Sequence, residues 1–210
     1  MKKLFAIFLV LTLVFSLFSC SKTEKKGENI DIAYDGGVYS GFSNIPDNYS
    51  VDDAINDGCL VIETLDDGTN VHGVCLRKTG RTAGYEYWLA FLEKSQNGED
   101  AFLRVAHFIC GVGYYHDLYY SDGKYTLFDL NEYGVSDGVS YSLLRRLDGM
   151  AGPANDQKED RFYVLTDDTT VTYSDITRRM FSSTYDPDEV IPYEWLGFMI
   201  YFDEEVPNEG

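Results

Sequence analysis

Basic residues are scarce in this chain: 17 lysines and arginines stand against 35 aspartates and glutamates. A phosphate backbone would be repelled by that balance, so nucleic acid is not expected as a partner. The sequence also lacks a Gly-rich phosphate loop and a His-Glu-x-x-His stretch. That removes the usual signatures of phosphate cradles and zinc proteases. It contains no internal repeat and no low-complexity tract, and beyond residue 19 no hydrophobic run is long enough to span a bilayer. What is present is 44% hydrophobic and 15% aromatic residues in 210 positions, the composition of one packed domain with a real core.

The first residues read as an export signal. Met1-Lys2-Lys3 is a short positive segment, and Leu4 to Ser19 carries no charge, the shape of a signal-peptide core. Leu17-Phe18-Ser19-Cys20 resembles the lipobox of bacterial lipoproteins, with Phe18 bulkier than the usual residue there. The resemblance implies diacylglycerol on the Cys20 thiol and cleavage after Ser19. An uncleaved transmembrane helix is the alternative. Two acyl chains give stable anchoring where one is marginal. Residues 1–19 are therefore expected to be a lipoprotein signal peptide and 20–29 a flexible tether whose Lys22, Lys25 and Lys26 can rest on anionic headgroups. A single globular domain is expected over 30–205, with a tail at 206–210. Two of the 17 basic residues and none of the 35 acids precede Cys20, so the part that follows has a formal net charge of −20. Such an excess serves the solubility of a surface protein, with attraction of cations or of a basic partner as the functional alternative.

Asp-Gly and Asn-Gly pairs punctuate aromatic and β-branched runs throughout, which predicts a sheet-rich domain with few helices. Ser50 is a good N-cap for a two-turn helix ending at Gly58, with Asp52 and Asp53 in its first turn. A second helix is predicted from Gly84 to Ser95, with Tyr85, Trp88, Leu89 and Leu92 on one face. A third begins at Ser174, or that stretch is a loop. Strands are predicted at Cys59–Thr64, Ala101–Cys110, Tyr114–Ser121, Lys124–Asn131, Val139–Leu147, Arg161–Thr166 and Leu196–Phe202. The expected class is α+β, an antiparallel meander with two or three short helices packed on one face.

The stretch Phe91-Leu92-Glu93, Gly98, Leu103-Arg104-Val105 and His116 to Lys124 is similar to a family of small secreted and lipoprotein domains of Gram-positive bacteria. Tyr49 to Ala54 and Asn70 to Gly73 also resemble its opening, so the likeness covers roughly Tyr49 to Thr166. Gly111-Val112-Gly113 departs from the family's acidic turn, and Asn131 to Gly134 stands where a Thr-Arg-Asp is expected. The family is one of unknown function, so the resemblance implies no site residue.

The Asp122-Gly123 turn fixes the sharpest local expectation. Ser121 should face Lys124, Tyr120 face Tyr125, Leu118 face Leu127, and His116 face Asp129. A carboxylate opposite an imidazole can act as a general-base dyad, or simply stabilise the sheet. Cys59, Cys75 and Cys110 remain after Cys20; an odd number leaves one unpaired, and a Cys59–Cys75 bridge is possible. Their apolar neighbours favour small buried residues over nucleophiles served by His72, His107 or His116. Cys59, His72 and Cys75 lack a fourth zinc ligand. The run from Asp129 to Asp137 imitates a calcium loop, but Ser140 stands at the twelfth position and Tyr133 at a ligand position, so the match fails. The acids at Asp66-Asp67, Asp167-Asp168, Asp186, Asp188 and Glu189 read as exposed turns. Tyr114, Tyr115, Tyr119, Tyr120 and Tyr125 could stack on a sugar, but alternation sends them to both faces and makes some of them core.

No catalytic, cofactor or metal residue is therefore assigned, and Cys20 is the one expected modification site. The expected function is a non-enzymatic, lipid-anchored domain on the outer face of the bacterial membrane, binding a protein or glycan ligand. A cell-envelope hydrolase and a structural or stress-related envelope protein are the alternatives.

Overall fold

The computed structural model describes residues 39–71, 74–181 and 193–202, with side chains described except at 69–77 and 181. The expected leader, Cys20, the tether, His72, Asp186, Asp188, Glu189 and the 206–210 tail lie outside the described residues. So does the side chain of Cys75.

The α+β class holds, and the sheet is mostly antiparallel. Strands β1 (Leu60–Val71) and β2 (Val74–Ala83) form a long hairpin. Helix α1 (Val51–Asn56) precedes it and helix α2 (Tyr85–Gln96) follows it. The chain leaves β2 beside the start of β1 and re-enters the sheet at that same end, on the other side of β1. Strand β3 (Ala101–Ile109) therefore runs parallel to β1, with Leu60 opposite Val105, a departure from a pure meander. Strands β4 (Val112–Ser121) and β5 (Lys124–Asn131) complete the meander, and the short β6 (Gly134–Val135) and β7 (Val139–Tyr141) pair with β5. The β4–β5 register is the expected one at all four pairs, because Asp122 and Gly123 both take the positive φ (51° and 75°) that a tight hairpin turn requires.

The predicted strand Val139–Leu147 is cut at Ser142, whose N–H donates to Asp167 at 2.7 Å. Beyond it, β8 (Leu143–Ala151) belongs to a second sheet with β9 (Lys158–Thr166) and β10 (Tyr193–Trp195), in the order β10-β9-β8. The predicted strand Leu196–Phe202 is not one. Residues Gly197–Phe202 form a 3-10 helix that buries Phe198, Met199 and Phe202 and leaves Ile200 43% exposed. Adjacent burial of Phe198 and Met199 follows from the helical turn, where a strand covered on one face would bury only alternate residues.

Three apolar cores result. The inner face of the first sheet (Leu60, Ile62, Leu103, Val105, Leu118, Leu127) meets Tyr163 and Leu165 of β9, Trp88 and Phe91 of α2, and the 3-10 helix. The outer face (Cys59, Val61, Ala106, Phe108, Tyr115, Tyr119, Phe128) meets Ala54 of α1 and the segment carrying Tyr39 and Phe42. Phe162 and Val164, on the far side of β9, pack on Ile176 of helix α3 (Tyr173–Phe181). Strand β9 is thus covered on both sides, which is why its run is apolar without alternation. The helices α1 and α2 lie on opposite faces rather than on one. In α2 the buried stripe is Trp88, Phe91 and Ser95, while Leu89 is 50% exposed. The larger Phe91 takes the inward place expected of Leu89. Helix α2 starts at Gly84, which has φ +80° and stands so close to β1 that a Cβ there would sit 2.2 Å from the Cys59 carbonyl oxygen. Ser50 and Asp53 form a reciprocal capping box on α1.

On the outer face, directly opposed Arg104 and Asp117 form a bidentate ion pair at 2.7 and 2.6 Å, with Asp117 fully buried. The hydroxyl of Tyr39 donates to Asp117 at 2.5 Å, Arg104 donates to the Gly41 carbonyl at 2.8 Å, and the Tyr39 ring stacks on Phe128 at 3.9 Å. Replacing Asp117 by alanine strands a guanidinium inside the fold and is expected to cost about 3–5 kcal/mol in urea unfolding. The double change Arg104→Met with Asp117→Leu should recover most of that loss, because no charge is then left unpaired.

Candidate functional site

The inner face of the first sheet is apolar along most of its length and turns polar at one end. By alternation, β3 places Leu103, Val105 and His107 there, β4 places His116 and Leu118, and β5 places Leu127 and Asp129. Since Val105 opposes His116 and His116 opposes Asp129, the three polar side chains gather where β3 and β5 end and β4 begins. Asp129 is held on its backbone by Ser136, whose Oγ accepts its N–H and whose own N–H it accepts, both at 2.8 Å. Strand β10 and the following 3-10 helix lie over this end, and a cleft of about 370 Å³ opens between them. Glu194, Trp195, Phe198, Ile200 and Tyr201 complete its lining.

Within it, His116 Nδ1 lies 2.6 Å from Asp129 Oδ1, both side chains about a quarter exposed (26% and 29%). With an ionised carboxylate as acceptor, Nδ1 carries the hydrogen and Nε2 is the acceptor of the neutral ring. The His116 ring lies 5.2 Å from that of Phe198, and His107 meets Tyr201 edge-on at the same separation. Glu194 sits above them. Burial first, then the negative charge of Asp129, hold its carboxyl above the usual carboxylate range, with His116 opposing the shift. The sequence pattern could have marked Glu194: Tyr193 and Trp195 on either side of it pack toward the third core, so alternation turns the acid inward.

The other candidates fall elsewhere. Cys59 is buried in the outer core as a free thiol, and burial pushes its pKa up. It is therefore neither bridged to Cys75 nor a ready nucleophile. Cys110 is also free but exposed, at φ +50° in the β3–β4 turn, which corrects the expectation that it is buried. Tyr115 and Tyr119 belong to the outer core and Tyr120 and Tyr125 to the inner one, so the hairpin tyrosines make no single platform. Asp66 and Asp168 each accept a nearby backbone N–H in a turn, and Asp167 accepts that of the distant Ser142. Asn131 does the same for Tyr133, which is 90% exposed at the place of the imitated calcium loop. Among the described residues, no three His, Cys, Asp or Glu side chains are grouped to hold a metal ion.

No protein-family model, no curated protein and no solved structure matches the chain. The chemistry of the cleft therefore has to be read from its own residues. It joins a hydrogen-bonded imidazole–carboxylate pair, a second carboxylate and an aromatic roof, and among the described residues no serine, threonine or cysteine is on its walls.

The raised proton affinity of Glu194 has a thermodynamic consequence. Its pKa is higher folded than unfolded, so stability falls as pH rises from the ordinary glutamate range through the folded value, and the cost is complete above it. Glu194→Gln should therefore melt at a higher temperature than the parent near neutral pH. In thermal melts between about pH 4 and 8, the difference should shrink toward the acidic end.

Proposed function

We propose that this protein is an extracytoplasmic lipoprotein, held on the membrane through lipid on Cys20, whose domain binds a small ligand in the cleft between the first sheet and the β10 segment. The lipobox-like Leu17 to Cys20 supports the anchor. The similarity to secreted and lipoprotein domains points to the same address. The observation that carries the binding role is the convergence of His116, Asp129 and Glu194 under aromatic side chains in one concave site. A few placed polar groups in a largely apolar cleft are the usual form of a small-molecule site. Binding without turnover is favoured because, among the described residues, no thiol or aliphatic hydroxyl lines the cleft beside the His116–Asp129 pair, and the nearby Ser136 hydroxyl accepts the Asp129 N–H. A second reading has one observation in its favour: an acid of raised pKa beside a paired carboxylate can do acid–base chemistry on envelope material.

Two measurements test the proposal. Mass spectrometry of the native protein should find a mature terminus at Cys20 with a diacylglycerol thioether; an intact leader or a bare sulfur there would remove the anchor. After incubation with cell-envelope extract, the parent protein should retain a compound that His116→Ala with Asp129→Ala retains at least tenfold less, about 1.4 kcal/mol of binding. Equal retention by the two would remove the cleft from the account.

A further inference from the structure

The lining of the cleft is one-sided in charge. Asp129 and Glu194 both face it, and among the described residues neither lysine nor arginine does. Several acids elsewhere in the fold are paired with cations: Asp117 with Arg104, Glu63 and Asp52 with Arg81, Asp148 with Arg146. Among the described residues, Glu194 has no such partner, and the nearby charge that weighs most on it is another carboxylate. Asp129 commits Oδ1 to His116, which leaves Oδ2 for a ligand. The roof is aromatic, with Phe198 and Tyr201.

From this juxtaposition we infer that the cleft takes a small organic ammonium ion, its charge between Asp129 and Glu194 and its hydrocarbon part under Phe198 and Tyr201. The inference rests on the cleft being the binding site. An anion would face two carboxylates at close range and would be repelled. A bare metal ion would need more grouped ligands than the site offers. An ammonium group meets both demands of the lining. It neutralises two acids that repel each other, and aromatic faces within about 6 Å attract it further. The excess of 35 acids over 17 bases raises the local concentration of any cation around the whole chain.

The test uses the full chain in titration calorimetry with four probes: benzylammonium, tetramethylammonium, benzyl alcohol and benzoate. Saturable binding of the two ammonium ions is expected, with benzyl alcohol at least tenfold weaker and no heat from benzoate. Glu194→Gln should weaken benzylammonium at least tenfold. That variant is expected to be more stable than the parent, so loss of binding could not be ascribed to unfolding. Asp129→Asn should act in the same direction while keeping a hydrogen-bonding group beside His116. The inference is overturned if no ammonium probe binds, if benzyl alcohol binds as tightly as benzylammonium, or if Glu194→Gln leaves the affinity unchanged. A neutral or anionic compound retained from envelope extract, and lost on His116→Ala with Asp129→Ala, would overturn the cation assignment and leave the cleft standing. Retention indifferent to those substitutions would remove both.

Discussion

A bidentate ion pair between neighbouring strands, Arg104 to Asp117, sets the phase of everything built on the first sheet. The two residues are directly opposite each other on the outer face, so the next pair along, Val105 and His116, must face inward. A slip of one residue would turn His116, Leu118, Leu127 and Asp129 together onto the outer face and strand two polar side chains in the outer core. A fully buried carboxylate that finds its guanidinium in one register only is a strong guard against that slip. Its contribution to net stability is smaller than its geometry suggests, because desolvating two charges offsets most of their attraction. The benefit is specification of one pairing. The same pair also ties down the segment from Tyr39 to Asn44, through the Tyr39 hydroxyl and the Gly41 carbonyl. That segment could not cover Phe128 and Tyr119 without such an anchor. Gly41 fits there because it has no side chain: a Cβ would lie 2.0 Å from the Tyr39 hydroxyl.

Covering both faces of the first sheet has a consequence for the cleft. An inner face with apolar partners along its whole length would have no reason to end in His107, His116 and Asp129. The change from Val105 and Leu118 to these residues coincides with the change in what lies above, from Trp88 and Phe91 of α2 to the short β10 strand and its 3-10 helix. Glu194 lies at that boundary in an environment that disfavours its charge. A glutamine would fill the same volume without that cost. Residues that lower stability where they stand are a common mark of sites kept for function.

The parts of this fold legible in the sequence are those fixed by short-range chemistry. Asp122-Gly123 specifies a turn with two positive φ angles, and the pairing of His116 with Asp129 follows by counting. Ser50 and Asp53 specify a capping box. The parts that were not legible depend on partners far away in the chain. Whether Leu89 or Phe91 turns inward on α2 is decided by what approaches the helix, and that includes Tyr163, about seventy residues later, edge-on to Trp88 at 5.1 Å. The passage of the chain between sheets at Ser142 depends on Asp167, which accepts its N–H. The apolar string from Leu196 to Phe202 gives no sign by itself that Gly197 will begin a 3-10 helix. Half of the cleft was therefore visible, the half on the hairpin. Its roof was not, because that proximity is entirely tertiary.

The tyrosines supply the last step. With so few cations available, many acids in this chain need another donor, and phenols provide it: Tyr39 to Asp117, Tyr49 to Asp57, Tyr173 to Asp160. In the last of these, burial and the carboxylate together push the phenol up to about 12, so it stays a donor at any physiological pH. A hydroxyl that cannot ionise is a safe partner for a carboxylate, since it satisfies the oxygen without adding a second charge to desolvate. These three tyrosines have a role in the acidity of the chain that needs no sugar platform to explain it. Among the described residues, Glu194 has neither solution. Tyr193 beside it points away into the third core and lies under Arg179, leaving the carboxyl to face the cleft with Asp129 for company. In a protein that has found donors for acid after acid, a half-buried carboxylate left to repel its neighbour is a place where the missing positive charge comes from outside.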